Sequence, residues 1–131
     1  MPKFSARSAE RLASCDPRLQ ALFERVVEGF DCTVLEGQRS AERQALLFEQ
    51  GATKIREGGK HTAKPSLAVD VAPYPVDWED AARFHVFGGY VLATARALGL
   101  RVRWGGDWDR DTEVKDETFR DLVHFELEED A

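Results

Sequence analysis

Methionine occurs once, tyrosine and cysteine twice each and histidine three times in 131 residues, and no apolar run approaches the length that crosses a bilayer. Each scarcity excludes something. Cys15 and Cys32 are too few for a disulfide scaffold and lack the paired spacing of a zinc knuckle, so they read as free thiols in a reducing compartment. The N-terminal Met1-Pro-Lys-Phe-Ser-Ala-Arg-Ser8 has no apolar core of a signal peptide, which predicts synthesis in the cytoplasm without Sec export. Positive charge is also short. Lys and Arg total 18 against 24 Asp and Glu, a net charge of −6, which argues against nucleic acid or an anionic membrane as the main partner. Repeats and low-complexity segments are absent.

What is present is an ordinary globular composition, 43% hydrophobic, in a chain of one-domain length, so residues 1–131 are read as a single domain and a monomer. Ser8 to Ser14 suggests a short helical turn. Asp16-Pro17 is a strong helix start, an N-cap followed by proline at the first helical position, and Leu19, Leu22, Phe23, Val26, Val27 and Phe30 follow at helical spacing up to a stop at Gly29. Cys32 to Glu36 reads as a strand, and Ser40 caps a second helix that runs through Gln44, Leu47 and Phe48 to Gly51. A polar, basic stretch from Ala52 to Pro65 is a surface loop. Beyond it Leu67, Val69 and Val71 alternate with Ser66, Ala68, Asp70 and Ala72. Asp77 or Asp80 begins the longest helix, which ends at Gly99; Leu100 to Trp104 and the segment around His124 to Leu127 are further strands. Helices and strands mixed without a βαβ rhythm predict an α+β fold with a small antiparallel sheet flanked by helices.

The chemistry gathers in two places. His61 ends the basic loop and Asp70 projects from the polar face of the strand that follows; His124 supplies the best third ligand, leaving one tetrahedral position for water, as a catalytic zinc site requires. His85, mid-helix with no carboxylate pattern around it, reads as structural. Residues three apart point to opposite faces of a regular strand, so Asp121 can share an ion with His124 only from the turn before the strand or across a bulge, and the turn is the expectation. Glu126, on the face of His124, is the rival for the role of catalytic carboxylate. Asp107 to Asp111 fails the EF-hand pattern, because Thr112 and Thr118 stand where glycine and glutamate are required; a looser calcium site there stays open. Arg39, between a strand and a helix cap, is placed to offer its guanidinium to a carboxylate or a developing oxyanion.

Taken in order, several stretches carry a family likeness: Leu35-Glu-Gly-Gln-Arg-Ser-Ala-Glu-Arg-Gln44 with Leu47-Phe-Glu-Gln-Gly51, Lys60-His61 with Ser66-Leu-Ala-Val-Asp-Val-Ala-Pro73, Trp104-Gly-Gly-Asp-Trp108, and Asp121-Leu-Val-His-Phe-Glu-Leu127. The chain resembles the peptidase M15 family of zinc peptidases, and more narrowly the single-domain L-alanyl-D-glutamate endopeptidases of phage endolysins and bacterial autolysins. The resemblance implies the fold shared with D-Ala-D-Ala peptidases and the hedgehog signalling domain, Zn2+ held by His61, Asp70 and His124, Asp121 as the catalytic acidic residue and Arg39 as the substrate-binding arginine. It implies a peptidoglycan stem peptide as substrate, a catalytic domain without a separate wall-binding module, and access to the wall through a holin-type pore or lysis. The nine-residue step from His61 to Asp70 is longer than the family's usual one, with Ser66 near its glycine position. A D,D-carboxypeptidase or dipeptidase of the same chemistry, and a catalytically silent metal-binding or wall-recognition module, are the alternative readings.

Overall fold

A computed structural model describes residues 2–51, 59–107 and 121–128. The Asp107 to Asp111 calcium reading and the basic residues Lys54 and Arg56 lie, wholly or in part, outside the described residues. The helix starts follow the expected capping chemistry. Helix α1 (Ala6–Ala13) is capped by Ser5, and α2 (Pro17–Gly29) by Asp16, whose carboxylate accepts the backbone N–H of Arg18. Ser40 caps α3 (Ala41–Glu49) and Asp80 caps α4 (Ala81–Ala97), each side chain accepting from the backbone N–H three residues on. Gly51 and Gly99 carry positive φ, the left-handed conformation that stops a helix at low cost to glycine. Gly29 does not; a β-carbon there would lie 2.1 Å from the Tyr90 hydroxyl, so that side chain would have to move.

Four strands, β1 (Cys32–Glu36), β2 (Ala68–Pro73), β3 (Val102–Gly105) and β4 (Asp121–Leu127), form an antiparallel sheet in the order β1-β2-β4-β3. This is the expected α+β architecture. The helical stripe of α2 and the inner residues of α4 pack on one face of the sheet, and Phe23, Phe87, Val69, Val71, Phe125 and Leu127 form a continuous buried core. Along α4, Phe84, Phe87, Val91 and Ala95 are buried, whereas Tyr90 and the C-cap residue Leu98 are exposed. Both cysteines are free and buried, and burial pushes their thiols up, to about 11 for Cys15 and about 12 for Cys32. No helix among the described residues is long and apolar enough to cross a membrane.

The opposite face of the sheet carries polar chemistry. Strand alternation turns Val69 and Val71 into the core and Asp70 away from it; on β4 the same rule separates Phe125 and Leu127 from His124 and Glu126. Register then does the rest, since Asp70 pairs with His124 and Ala68 with Glu126. Small neighbours, Ala68 and Ala72, flank Asp70 on its own strand.

Candidate metal centre

His61 sits on a short 3-10 turn (Lys60–Thr62) that the loop after β1 grips from two sides. The backbone N–H of Arg39 donates to the carbonyl of His61 at 2.6 Å, and His61 Nδ1 donates to the carbonyl of Gly37 at 2.8 Å. The buried imidazole is thereby oriented with Nε2 toward Asp70 Oδ1, 3.1 Å away. The turn is also tied to the helices. Ser66, fully buried, exchanges backbone hydrogen bonds with Ser14 and Asp16, and its hydroxyl donates to the carbonyl of Ala68. The backbone of Ser66 thus fastens the longer loop to the α1–α2 junction, while its hydroxyl braces the start of β2.

His124 approaches the same carboxylate oxygen from β4. Its Nδ1 lies 3.3 Å from Asp70 Oδ1, and its Nε2 donates to Glu126 Oε1 at 2.8 Å. The two imidazoles meet edge to face with centroids 5.1 Å apart. Each ring therefore has an oxygen acceptor at both nitrogens, and a neutral imidazole has only one N–H to give. The mismatch is relieved either by a second proton on each ring or by a cation among His61 Nε2, His124 Nδ1 and Asp70. One ligand atom from each residue lies within 4.8 Å of the others. Ligands held about 2.0–2.1 Å from a tetrahedral zinc stand roughly 3.4 Å apart, close to the observed 3.1 and 3.3 Å. The acceptors on the outer nitrogens, Gly37 and Glu126, are what metal-binding histidines ordinarily possess. The residues fit a metal.

In the metal-free site the same contacts favour a carboxylate on Asp70 and a proton on His124. Burial alone would raise the Asp70 carboxyl, but hydrogen bonds and charge from His124 and His61 hold it well below the usual range. Burial pulls His124 down, and its bonds to Asp70 and Glu126 overcome this, raising it to about 9. Asp121 moves the other way: burial, followed by the negative charge of Asp70, raises its carboxyl.

Asp121 does not precede the strand as the spacing argument led us to expect. It is the first residue of β4, and the bulge route is the one used: Trp104 pairs with Phe125, but its neighbour Gly105 pairs with Asp121. The extra residues on β4 break the alternation, so that Leu122 packs against the core while Asp121 feels the charges of Asp70, His124 and His61. Gly105 is required there, because a β-carbon would stand 2.0 Å from the Asp121 carbonyl oxygen.

Arg39 is at the site but is not a loose arm. Its Nε and Nη2 donate to Glu36 Oε1 at 3.1 and 2.6 Å, Nη1 donates to Gln44 Oε1 at 2.8 Å, and Nη2 lies 3.6 Å from Asp70 Oδ2. Glu36 is shared with Arg43, and although burial opposes ionisation the two guanidiniums keep its pKa lowered. His85 Nδ1 donates to the carbonyl of Ala81 at 2.7 Å and its ring packs edge-on against Trp104, in keeping with a structural role. Glu126 is turned to the far side of His124 from Asp70, with Lys60 and Arg103 each 3.1 Å from its Oε2. Gly37, Glu36 and Gln44 fall within the stretch that carries the family likeness, but the sequence reading gave them no task, since a backbone carbonyl and side chains that support Arg39 leave no spacing signal.

Two imidazoles and a carboxylate facing one point, with a carboxyl of raised pKa beside them, are the equipment of a metallopeptidase, and the comparisons with known proteins place it within that class. The sequence model described as "Phage L-alanyl-D-glutamate peptidase" matches residues 1–128, and the chain belongs to that family. It is 29% identical over 133 aligned residues to the L-alanyl-D-glutamate peptidase of Escherichia phage T5, covering 95% of this chain and 97% of the relative. It is 30% identical over 114 residues to the peptidoglycan L-alanyl-D-glutamate endopeptidase CwlK of Bacillus subtilis, covering 76% of this chain and 62% of the relative. Among solved structures, the Serratia marcescens L-Ala D-Glu endopeptidase ChiX superposes with a TM-score of 0.78 at 28% identity, covering 96% of this chain and 90% of that one. The LD-carboxypeptidase LdcB, at 17% identity and a TM-score of 0.54, shares the fold.

Proposed function

We propose that this protein is a zinc-dependent endopeptidase that cuts the L-alanyl–D-glutamate bond in peptidoglycan stem peptides. The observation that carries the reading is the convergence of His61 Nε2 and His124 Nδ1 on one oxygen of Asp70, with Asp121 beside them. Zinc held by these three groups would supply Lewis acidity and a water whose pKa falls toward about 7. Asp121 accepts a proton from the attacking water and returns it to the leaving amine; its raised pKa brings uptake and return closer to balance. Arg39, held in one orientation by Glu36 and Gln44, keeps positive charge beside Asp70 where a substrate carboxylate or developing oxyanion can be met. Enzyme and substrate then meet at the cell wall, and the region matched to the family acts as one catalytic domain.

The test is digestion of purified peptidoglycan with and without a chelator, with mass spectrometry of the released peptides. Chelator-sensitive appearance of a new D-glutamate N-terminus is the expected result, and release of D-alanine alone would assign a carboxypeptidase instead. Asp121→Asn should lower turnover about 10²- to 10⁴-fold while zinc stays bound. Loss of zinc in that variant would make Asp121 a ligand, and full activity would remove it from the reaction.

A further inference from the structure

Glu126 is a buried carboxylate on the polar face of the sheet, and the proposed chemistry gives it nothing to do. Its oxygens divide the work. Oε2 meets two cations, Arg103 Nη2 from the neighbouring strand and Lys60 Nζ from the 3-10 turn, each at 3.1 Å; Oε1 takes the Nε2–H of His124 at 2.8 Å. Lys60 also donates to the carbonyl of Leu127, so the turn bearing His61 is fastened to the strand bearing His124. A carboxylate pinned by two charges has its remaining acceptor fixed in direction. An imidazole that must donate Nε2–H to it has only Nδ1 left as a lone-pair donor.

We infer that Glu126, held by Lys60 and Arg103, is a positioning residue that selects the tautomer of His124 and points its Nδ1 at the metal. The inference rests on the metal reading of the site and adds what that reading leaves open: which nitrogen binds, and what enforces it. The two ligand histidines then use opposite nitrogens, Nε2 of His61 and Nδ1 of His124, because the acceptors behind them, the Gly37 carbonyl and Glu126, sit on opposite sides of their rings.

The test needs no variant to begin. In the zinc-loaded protein, long-range proton–nitrogen correlation spectra should show His124 protonated at Nε2, with that proton exchanging slowly; ligation through Nε2 overturns the inference. Glu126→Gln keeps the shape but not the charge that Lys60 and Arg103 grip, and zinc affinity measured by competition with a chromophoric chelator should fall about 10- to 100-fold. Unchanged affinity in a folded Glu126→Gln protein also overturns it. An unchanged protein that binds no zinc would sink the metal reading itself, and this inference with it, so the two failures are told apart.

Discussion

A guanidinium and an ammonium carry the same charge, and Arg39 shows why they are not exchangeable here. Three of its N–H groups are spent on Glu36 and Gln44, which leaves the cation directed at Asp70 and the space beside it. A lysine at this position reaches with one point charge and cannot satisfy both supports. Arg39→Lys is therefore expected to lower kcat/KM about 100-fold, on the scale of removing one oxyanion donor, with zinc content unchanged. Atomic absorption on the purified variant beside steady-state kinetics checks this; loss of zinc together with activity would show that Arg39 serves the ligand set through Asp70. At this scale the sequence was informative where chemistry is carried by residue type. His61, Asp70, His124, Asp121 and Arg39 all come together in space, and Glu126 was singled out, though for a different task. What it could not convey is the second set of partners. The Gly37 carbonyl has no side chain to notice, and the pairing of Lys60 with Glu126 joins residues 66 positions apart.

At the scale of elements, boundaries were legible wherever a local stereochemical rule fixes them. Asp16-Pro17, Ser40 and Asp80 start helices, and Cys32 to Glu36 is the observed β1. Sheet order and the irregularity at Asp121 were not, because both depend on which strands meet. Two adjacent glycines in α4 make the same distinction between local and tertiary rules. At Gly88 a β-carbon would lie 2.4 Å from the indole of Trp104, and the ring is confined, since it packs against the backbone of Gly106 on another side and the Trp104 Nε1–H is fixed on the Leu122 carbonyl at 2.9 Å. At Gly89 nothing lies within 4 Å. Gly88→Ala is expected to cost about 1–3 kcal/mol through overpacking, outweighing its gain in helix propensity. Gly89→Ala should stabilise by about 0.5–1 kcal/mol. Urea denaturation of the two variants reads the difference directly. Equal shifts of one sign would mean that Trp104 is not confined.

For the molecule as a whole, the metal centre couples folding to pH and to metal, and the signs can be worked out. In metal-free protein, burial disfavours the His124 imidazolium, but Asp70 and Glu126 overcome this and raise it from 6.5 to about 9. A folded-state pKa above the unfolded value contributes stability that is fully present below about pH 6.5 and is lost as pH rises through about 9. Glu126 works in the opposite direction: despite burial, His124 and the nearby cations lower it from 4.5 to about 2, so its contribution is present above about pH 4.5 and is lost as pH falls toward 2. Chelated protein should therefore be most stable between these limits and weaken on both sides. Metal reverses the upper limb. Ligation needs His124 without its second proton, so protons compete with zinc most strongly where the imidazolium is most stable, and affinity rises with pH across the same interval. Free zinc at a hundredfold excess over its Kd adds about 2.7 kcal/mol to folding stability, and at fixed free zinc this increment grows as Kd falls with rising pH. The expected outcome is a gap in Tm between zinc-loaded and chelated protein that widens steadily from pH 6 to pH 8.5. A gap independent of pH would mean that His124 is already neutral in the metal-free fold, and that its contacts with Asp70 and Glu126 do not hold a proton in place of the metal.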